Sequence, residues 1–288
     1  MPNRTSLSSG EAKKLLRQSS IKAKKGLGQH FLVDEAVLDT IISAAELSPE
    51  DTVIEVGPGL GILTTHLARQ AGQVIAVELD TKLAQLLRQK LVSSTNVSIV
   101  NADILKTNLS QLLDSKDKYK VVANIPYYIT SPILRYFMET SSRPSLMVVM
   151  VQKEVGEAIV AHPGEMSLLA VSLQIYSKPK IVSYVSSQSF YPPPKVDSAI
   201  LRLDILSEPA IKVDINGFLD VVRCGFKSPR KQLHNSLAQG LNIKPAEAAL
   251  LLEEAKIESQ RRAETLSLDE WEKLYKTVIT SKKDKTLC

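Results

Sequence analysis

The chain has 288 residues, of which 44% are hydrophobic, and it carries a formal net charge of +5. That length is enough for one large or two modest domains, and no apolar run approaches the ~18 residues that cross a membrane. The two cysteines are too few for a disulfide framework, the four histidines lack metal-ligand spacing, and the N-terminus lacks the apolar stretch of a signal peptide. We therefore expect a cytoplasmic monomer that uses neither a membrane nor a metal.

The N-terminal region predicts a short basic helix ahead of the main body of the chain. Ser8-Ser9-Gly10-Glu11 has the spacing of a capping box, and the helix should fade near residue 19. Residues before this helix are expected to be disordered. A glycine-hinged segment then ends in the apolar pair Phe31-Leu32, and a second helix is predicted from Asp34 to Ala45.

From Thr52 the pattern alternates between strand and helix. The predicted strands are Thr52–Val56, Gln73–Glu78, Val97–Val100, Lys120–Ala123, Leu146–Val151, Lys180–Val185 and Ser198–Leu203. The predicted helices are Ile62–Ala71, Thr81–Val92, Pro132–Thr140, Lys153–Ala161 and Met166–Tyr176. This alternation indicates an α/β fold with a mostly parallel sheet that is covered on both faces. A loop separates the last two strands, so we expect them to pair antiparallel at one edge.

After residue 206 the sequence predicts helices only. Ser228-Pro229 should begin one helix and Gly240 should end it, while Pro245 begins another. Ser267-Leu268-Asp269-Glu270 has the capping-box pattern of a last helix. One face of that helix should carry Trp271, Leu274, Tyr275 and Val278. We therefore divide the chain into a basic, partly disordered N-terminal arm (1–23), an α/β domain (24–206), a small all-α domain (207–280) and a frayed tail (281–288).

Basic residues are concentrated in two places. Residues 1–30 contain seven lysines and arginines against the single acid Glu11, and residues 221–246 contain five with no acid. Each cluster alone is more often solvated surface charge, but two clusters beside one α/β domain favour binding to RNA or DNA. The residues that we predict to contact nucleic acid are Lys22, Lys24, Lys25, Arg223, Lys227, Arg230 and Lys231.

A glycine-rich turn and two acids follow the first three predicted strands of the sheet. Gly57-Pro58-Gly59-Leu60-Gly61 lets the backbone turn sharply and approach a ligand, although its spacing differs from the dinucleotide fingerprint and disfavours NAD or FAD. Glu78 ends the second strand, where a carboxylate can accept both ribose hydroxyls, and Asp103 follows the third, where it can meet an adenine amino group. One such acid is more often a helix cap, but the three features together favour a nucleoside site.

The segment Asn124-Ile125-Pro126-Tyr127 ends the next strand and suits an exocyclic amine on a planar base. The Asn124 side-chain oxygen and the Ile125 carbonyl can each accept one N–H, while Tyr127 can stack on the ring. Holding both protons in this way withdraws the nitrogen lone pair from conjugation and directs it at an electrophile. Taken alone, these four residues are equally consistent with an ordinary Asn-x-Pro turn.

Six motifs, in order along the chain, resemble those of one known family. They are Gly28–Leu32, Glu55–Leu63, Val77-Glu78, Asn101–Asp103, Asn124–Tyr127 and Phe190–Val196. The family is the ribosomal RNA adenine N6,N6-dimethyltransferases of the small subunit, which use S-adenosylmethionine, and the similarity extends from about Lys24 to Tyr275. The resemblance implies a Rossmann-like S-adenosylmethionine-dependent methyltransferase sheet in 24–206 and a C-terminal helical domain that binds RNA.

The resemblance also implies a role for each matching residue. Those that would bind the cofactor are His30, Leu32, Gly57, Gly59, Glu78, Asp103 and Asn124. Asn124, Ile125, Tyr127 and Phe190 would hold the target adenine, with Phe190 and Tyr127 stacking on it once the base has flipped out. The family usually has Asn where His30 stands, so an imidazole would make that contact with a different geometry.

The reaction so implied is in-line transfer of the sulfonium methyl group to adenine N6, performed twice on each of two adjacent adenines. The substrate would be the 3′-terminal hairpin of small-subunit rRNA in a pre-assembled ribosomal particle, with a role in small-subunit biogenesis. Such a transfer depends on positioning and electrostatics and needs no nucleophilic side chain or metal. Two alternatives are a large-subunit rRNA adenine methylase of the macrolide-resistance type and a non-catalytic small-subunit assembly factor. The helical domain and the Phe190–Val196 loop favour the small-subunit group, and the intact Asn124 motif favours an enzyme.

Overall fold

The computed structural model of the protein describes residues 8–18, 28–113 and 118–286. The helices are α1 (Ser9–Gln18), α2 (Glu35–Ala45), α3 (Ile62–Leu67), α4 (Thr81–Lys90), α5 (Thr130–Glu139), α6 (Lys153–Val160), α7 (Leu168–Gln174), α8 (Ile215–Gly225), α9 (Leu233–Leu241), α10 (Pro245–Glu254) and α11 (Leu268–Thr286). The strands are β1 (Phe31–Leu32), β2 (Thr52–Val56), β3 (Gln73–Glu78), β4 (Val97–Asn101), β5 (Tyr119–Asn124), β6 (Leu146–Gln152), β7 (Ser177–Val185), β8 (Phe190–Tyr191) and β9 (Ser198–Ile205). None of these helices is long and apolar enough to cross a membrane.

Seven strands form one open sheet in the order β4-β3-β2-β5-β6-β9-β7. The first five in this order run parallel, and β9 is antiparallel to β6. From β2 the chain builds outward through β3 and β4 on one side, then returns to place β5 on the other side of β2. Such a reversal opens a crevice at the carboxyl ends of the strands, which is where α/β sheets bind ligands. The sheet therefore places the ends of β2, β3, β4 and β5 around one crevice.

The elements predicted for this sheet are confirmed, and the α/β class with them. β2 and β3 have the predicted bounds, and β7 and β9 lie side by side at one edge of the sheet as expected. β2 is buried along its whole length, which explains its unbroken apolar sequence. Aspartates start two helices: Asp34 Oδ1 accepts from Ala36 N at 3.1 Å at α2, and Asp80 Oδ1 accepts from Lys82 N at 2.9 Å at α4.

A second, two-stranded sheet joins distant parts of the sequence. Phe31 pairs with Tyr191 and Leu32 with Phe190, so β1 and β8 are antiparallel. The region predicted as a partly disordered arm contains the ordered helix α1, with the predicted capping box formed by Ser8 and Glu11. Its Ala12 and Leu16 are buried in the core that also contains Phe31. The rest of that arm, residues 1–7 and 19–23, lies outside the described residues.

The chain forms two compact units. The first consists of 1–156 and 178–205 and contains the seven-stranded sheet, while the second consists of 157–177 and 206–288. The sequence prediction instead assigned 157–177 to the α/β domain. In the second unit the backbone of Leu206 donates to Tyr176 O at 2.8 Å and Gly164 donates to Glu264 O at 2.9 Å. These bonds tie the segment 157–177 to the C-terminal helices.

The helical unit is built around Trp271, which is fully buried. Phe226 lies 5.7 Å from it between ring centroids, and a Cβ at Gly225 would come within 2.3 Å of the indole, so only glycine allows this approach. The predicted capping box is confirmed: Ser267 N donates to Glu270 Oε2 at 2.8 Å, and Glu270 N to Ser267 Oγ at 3.2 Å.

Three predicted boundaries in this unit are wrong. α9 begins at Leu233 rather than at Ser228-Pro229, which lie in the turn before it. Gly240 lies inside α9, which is capped instead by Asn242 in the left-handed conformation (φ 57°). The tail predicted to fray from residue 281 is helical through Thr286, where α11 ends. Residues 287–288 lie outside the described residues.

Candidate active site

One pocket occupies the crevice at the carboxyl ends of the parallel strands. The predicted cofactor and base-binding residues that line it are His30, Leu32, Gly57, Gly59, Glu78, Asp103, Asn124, Ile125 and Tyr127. They come from the segment before β1, the turn after β2, and the ends of β3, β4 and β5. The structure thus brings together residues that are up to 97 positions apart, from His30 to Tyr127. Their roles toward ligands stay predictions.

The turn after β2 forms the floor of the pocket. Gly57, Gly59 and Gly61 all have positive φ, at 68°, 57° and 73°. A Cβ on Gly59 would lie 2.9 Å from Phe31 Cδ1, closer than real side chains approach. The turn therefore requires glycine both for its backbone conformation and for its packing against β1.

Glu78 connects this turn to the end of β3. Its Oε2 accepts from Gly59 N at 3.1 Å and its Oε1 from Asp80 N at 2.8 Å. The side chain is buried, which raises the pKa of its carboxyl group above the ordinary value. Each carboxylate oxygen has a further lone pair, so Glu78 can still accept hydrogen bonds from a ligand.

Asp103 lies at the end of β4, and its carboxylate is already engaged. Its Oδ1 accepts from Leu105 N at 3.1 Å, capping a short 3-10 turn, and its Oδ2 lies 3.9 Å from Lys106 Nζ. A helix cap is the more common role of an acid at the end of a strand. The residue also lines the pocket, so both interpretations fit the same position.

Glu55 is a pocket residue to which sequence reasoning gave no individual role. Its side chain is 1% exposed, and among the described residues its Oε2 has no hydrogen-bond partner. Burial raises the pKa of this carboxyl group to about 8, with the nearby Glu78 charge adding to the effect. Glu55 is therefore protonated at neutral pH. The only signal in the sequence was an acid inside an otherwise apolar strand.

Asn124 is held in a defined orientation at the end of β5. Its Nδ2 donates to the backbone oxygen of His30 at 3.1 Å. Because the amide nitrogen is used in this way, Oδ1 is the atom left to accept a bond, and no described residue donates to it. The structure thus supports the expected availability of the Asn124 oxygen.

Tyr127 and His30 form a stacked pair beside Asn124. Their ring centroids are 5.9 Å apart with an interplanar angle of 23°. The Tyr127 hydroxyl lies 2.6 Å from Ser198 Oγ, and His30 Nδ1 lies 2.7 Å from Pro192 O. A carbonyl only accepts, so His30 Nδ1 carries a hydrogen. Burial raises the pKa of Tyr127, so it presents a neutral ring to the pocket.

Phe190 is buried next to the pocket. Its side chain is 2% exposed, lies in the core with Phe31 and Leu32, and is not among the residues that line the pocket. It pairs with Leu32, which does line the pocket. Its stacking role toward a base stays a prediction.

Two exposed side chains in the pocket were missed. Leu79 is 48% exposed and Tyr128 is 51% exposed, although both are large and apolar. Tyr128 packs near Gly28, whose added Cβ would lie 3.4 Å from the Tyr128 ring. Exposed apolar groups beside acids suit a nucleobase, which has apolar faces and a polar edge. The Tyr127-Tyr128 doublet was the available signal.

The predicted nucleic-acid residues of the second cluster are exposed on the helical unit. Arg223 pairs with Asp220 at 2.5 Å, and Lys227 Nζ donates to Gln239 O at 3.2 Å. Arg230 and Lys231 lie in the turn between α8 and α9. Lys22, Lys24 and Lys25 lie outside the described residues.

The fold and the pocket define a Rossmann-like protein with a crevice at the carboxyl ends of its parallel strands. Within the described residues no group of His, Cys, Asp and Glu could hold a metal ion.

A dimethyladenosine transferase from Plasmodium falciparum has a similar structure, with a TM-score of 0.74 and 26% identity over 88% of this chain and 98% of that one. The 23S rRNA methyltransferase ErmE has a TM-score of 0.69 and 29% identity over 86% of this chain and 99% of that one.

Sequence relatives agree with the structural ones. The model of the ribosomal RNA adenine dimethylase family matches residues 20–279. The ribosomal RNA small subunit methyltransferase A of Dehalococcoides mccartyi is 50% identical, covering 92% of this chain and 91% of the relative. The protein of the same name from Clostridium botulinum is 43% identical, covering 91% of this chain and 96% of the relative. The chain belongs to the ribosomal RNA adenine dimethylase family.

Proposed function

We propose that the protein dimethylates N6 of two adjacent adenines in the 3′-terminal hairpin of small-subunit rRNA, using S-adenosylmethionine. The substrate is a pre-assembled small-subunit particle, and the reaction serves subunit biogenesis in the cytoplasm. One observation carries the proposal: Asn124 and Tyr127 share a single pocket with the glycine turn, Glu78 and Asp103. This unites a site for an amine-bearing base with a site for a nucleoside. The working unit is proposed to be a monomer.

The pocket residues fit S-adenosylmethionine chemically. The glycine turn borders the pocket with backbone that carries no side chains at Gly57 and Gly59, and Glu78 offers oxygens suited to ribose hydroxyls. Leu79 and Tyr128 provide exposed apolar surface beside Asp103, as an adenine ring requires. When bound, S-adenosylmethionine supplies an electrophilic methyl group. His30 and Leu32 would border the cofactor, with His30 in a geometry fixed by its bond to Pro192.

Asn124 would orient the reacting amine. Its Oδ1 and the Ile125 carbonyl would each accept one N–H of adenine N6, which directs the nitrogen lone pair outward. The bond from Asn124 Nδ2 to His30 O prevents the amide from flipping, so the acceptor is preorganised. Tyr127 would stack on the base as a neutral ring, with its hydroxyl anchored on Ser198. Catalysis of this kind rests on positioning, since no nucleophilic side chain takes part.

The small-subunit reaction is favoured over the alternatives by the relatives. The Dehalococcoides and Clostridium proteins, at 50% and 43% identity, carry a small-subunit name, whereas ErmE at 29% carries a large-subunit one. A non-catalytic assembly factor would have no need for an oriented Asn124 amide or a buried glycine turn.

The proposal is tested by mass spectrometry of rRNA from cells that lack this protein. The expected result is loss of N6,N6-dimethyladenosine from the 3′ end of small-subunit rRNA, restored by the wild-type gene and not by an Asn124→Ala gene. Unchanged dimethyladenosine in the small subunit, with a loss in the large subunit, would instead identify the large-subunit activity.

A further inference from the structure

A row of exposed side chains on the edge strand β7 has no role in the site described above. Alternate residues of β7 point to solvent, and they are Lys178, Lys180, Val182 and Tyr184. Tyr184 is 54% exposed and Val182 is 38% exposed, which is unusual for large apolar side chains. Lys153, at the start of α6, has its Nζ 5.2 Å from the centre of the Tyr184 ring. We call these five residues the β7 stripe.

The β7 stripe has an excess of positive charge. Lys180 Nζ lies 3.7 Å from the carboxylate of Asp204 on β9. That carboxylate is already bound by Arg202, whose Nε donates to Asp204 Oδ1 at 2.8 Å. Arg202 also pairs with Glu46 at 2.5 Å, so Asp204 and Glu46 together balance Lys180 and Arg202. The stripe itself has three lysines and no acid, and these lysines attract an anionic partner.

A chain of contacts connects the β7 stripe to the pocket. The Tyr127 hydroxyl lies 2.6 Å from Ser198 Oγ, at the first residue of β9. The neighbouring Asp197 accepts from Lys153 N through its backbone oxygen at 3.0 Å. Lys153 in turn lies over Tyr184. Lys153 also directly follows the carboxyl end of β6, which runs parallel to β5, so it lies at the same end of the sheet as Asn124 and Tyr127. A polyanion that delivers one of its bases to Tyr127 would pass the exposed Asp197 and reach Lys153 and the strand.

We propose that the β7 stripe binds the substrate rRNA next to the methylated base, with its lysines on phosphates and Tyr184 under a nucleobase. This inference rests on the proposed function and adds an RNA contact on the edge strand β7, next to the residues proposed to hold the target base. Lysines position RNA through its backbone, and an exposed aromatic ring stacks on a base of any sequence. The stripe spans ~20 Å of strand, enough for such contacts to be made side by side.

Binding to undermethylated small subunits across a salt series tests the proposal. Lys178→Gln/Lys180→Gln should weaken binding and reduce the slope of log affinity against log salt by about 1.4–1.8, since each lost phosphate contact removes about 0.7–0.9. Tyr184→Ala should weaken binding by about 5- to 100-fold with the slope unchanged, whereas Tyr184→Phe keeps the ring and stays near wild type.

A matched control removes two charges from the opposite edge of the sheet. Arg69→Gln/Lys82→Gln changes exposed residues near α3 and α4, and it should leave affinity and slope as in wild type. S-adenosylmethionine affinity and the unfolding temperature should be unchanged in all variants, because every substituted side chain is exposed.

Lysines on an edge strand also prevent sheets from pairing edge to edge, which is the competing explanation. It predicts that Lys178→Gln/Lys180→Gln self-associates in sedimentation while its affinity for the particle is unchanged. That result, or equal effects in the control variant, would overturn the proposal.

The experiment also separates this inference from the proposed function. If wild type methylates the particle and the stripe variants bind the particle as tightly as wild type does, this inference is wrong and the proposed function stands. A wild-type protein that neither binds nor methylates the particle overturns the proposed function as well.

Discussion

At the scale of single residues, two hydrogen bonds determine which side-chain atoms of the pocket can bind a ligand. Asn124 donates to His30 O, which leaves its oxygen for a ligand, and His30 donates through Nδ1 to Pro192 O. The residue types at these positions are readable from the sequence because they recur in motifs. Their orientation is not, since it depends on partners such as Pro192 that lie 162 positions away.

Asn124→Ala should separate catalysis from cofactor binding. Its amide is expected to act on the reacting amine, so S-adenosylmethionine affinity should stay within several-fold while methyl transfer falls by at least ~100-fold. Calorimetry measures the affinity, and single-turnover methyl transfer to undermethylated particles measures the rate. Near-normal transfer would remove Asn124 from the mechanism.

Glu55→Gln should change how stability depends on pH. The folded-state pKa of about 8 lies above the ordinary value of 4.5, so the folded protein holds this proton more tightly than the unfolded chain does. The stability so gained is complete below the ordinary pKa and is lost as pH rises through about 8. Glutamine resembles the protonated acid and does not titrate.

The measurement is urea unfolding of both proteins at pH 6 and pH 9. From pH 6 to pH 9, the free energy of unfolding of the variant relative to that of wild type should rise by more than about 1 kcal/mol. The reason is that one pKa unit corresponds to about 1.4 kcal/mol. If the difference in the free energy of unfolding between variant and wild type is the same at both pH values, Glu55 is not a buried acid in solution.

At the scale of elements, local patterns decided most of the fold and non-local pairing decided the rest. β2 and β3 were predictable because continuous apolar runs mark fully buried parallel strands. The pairing of β1 with β8 was not, because two-residue strands carry no periodicity and their partner lies far along the chain. Phe190 belongs to this pairing, so its burial was not predictable from the sequence either.

Gly59→Ala tests the contact between the glycine turn and β1. Alanine at φ 57° costs about 1–2 kcal/mol in backbone conformation, and its Cβ would meet the Phe31 ring at 2.9 Å. We expect a loss of more than about 2 kcal/mol in the free energy of unfolding, together with weaker cofactor binding. Chemical denaturation and calorimetry measure the two effects.

Gly164→Ala is the matched control for backbone strain. Gly164 also has positive φ, at 117°, but a Cβ there meets nothing within 4 Å. The Gly164→Ala variant should therefore lose stability through backbone strain alone and keep the cofactor affinity of wild type. Equal effects in the two variants would argue against a specific role for the Gly59–Phe31 contact.

At the scale of the whole molecule, the chain pairs a catalytic unit with a basic helical unit. The composition and spacing of the two basic clusters were visible in the sequence, but the local pairing of Arg223 with Asp220 was not. A neighbouring acid reduces what one arginine contributes to a phosphate contact. Lys227, Arg230 and Lys231 are therefore the stronger candidates on the helical unit, alongside Lys22, Lys24 and Lys25 before the sheet.

Neutralising Lys227, Arg230 and Lys231 to glutamine should weaken binding to small subunits. The salt dependence should flatten by about 0.7–0.9 log units per lost contact, and Arg223→Gln should have a smaller effect than any of the three. Filter binding across a salt series provides the measurement, with cofactor affinity as the check on folding. An unaltered slope would mean that these residues supply only solubility charge.

The central claim is tested most directly by reconstitution with the purified protein, methyl-labelled S-adenosylmethionine and undermethylated small subunits. After the reaction, the rRNA is digested and the labelled nucleosides are identified by mass spectrometry. The account predicts labelled N6,N6-dimethyladenosine at two adjacent positions in the 3′-terminal hairpin, and none with Asn124→Ala. Absence of label from the small subunit, or label appearing only when large-subunit rRNA is supplied, would contradict it.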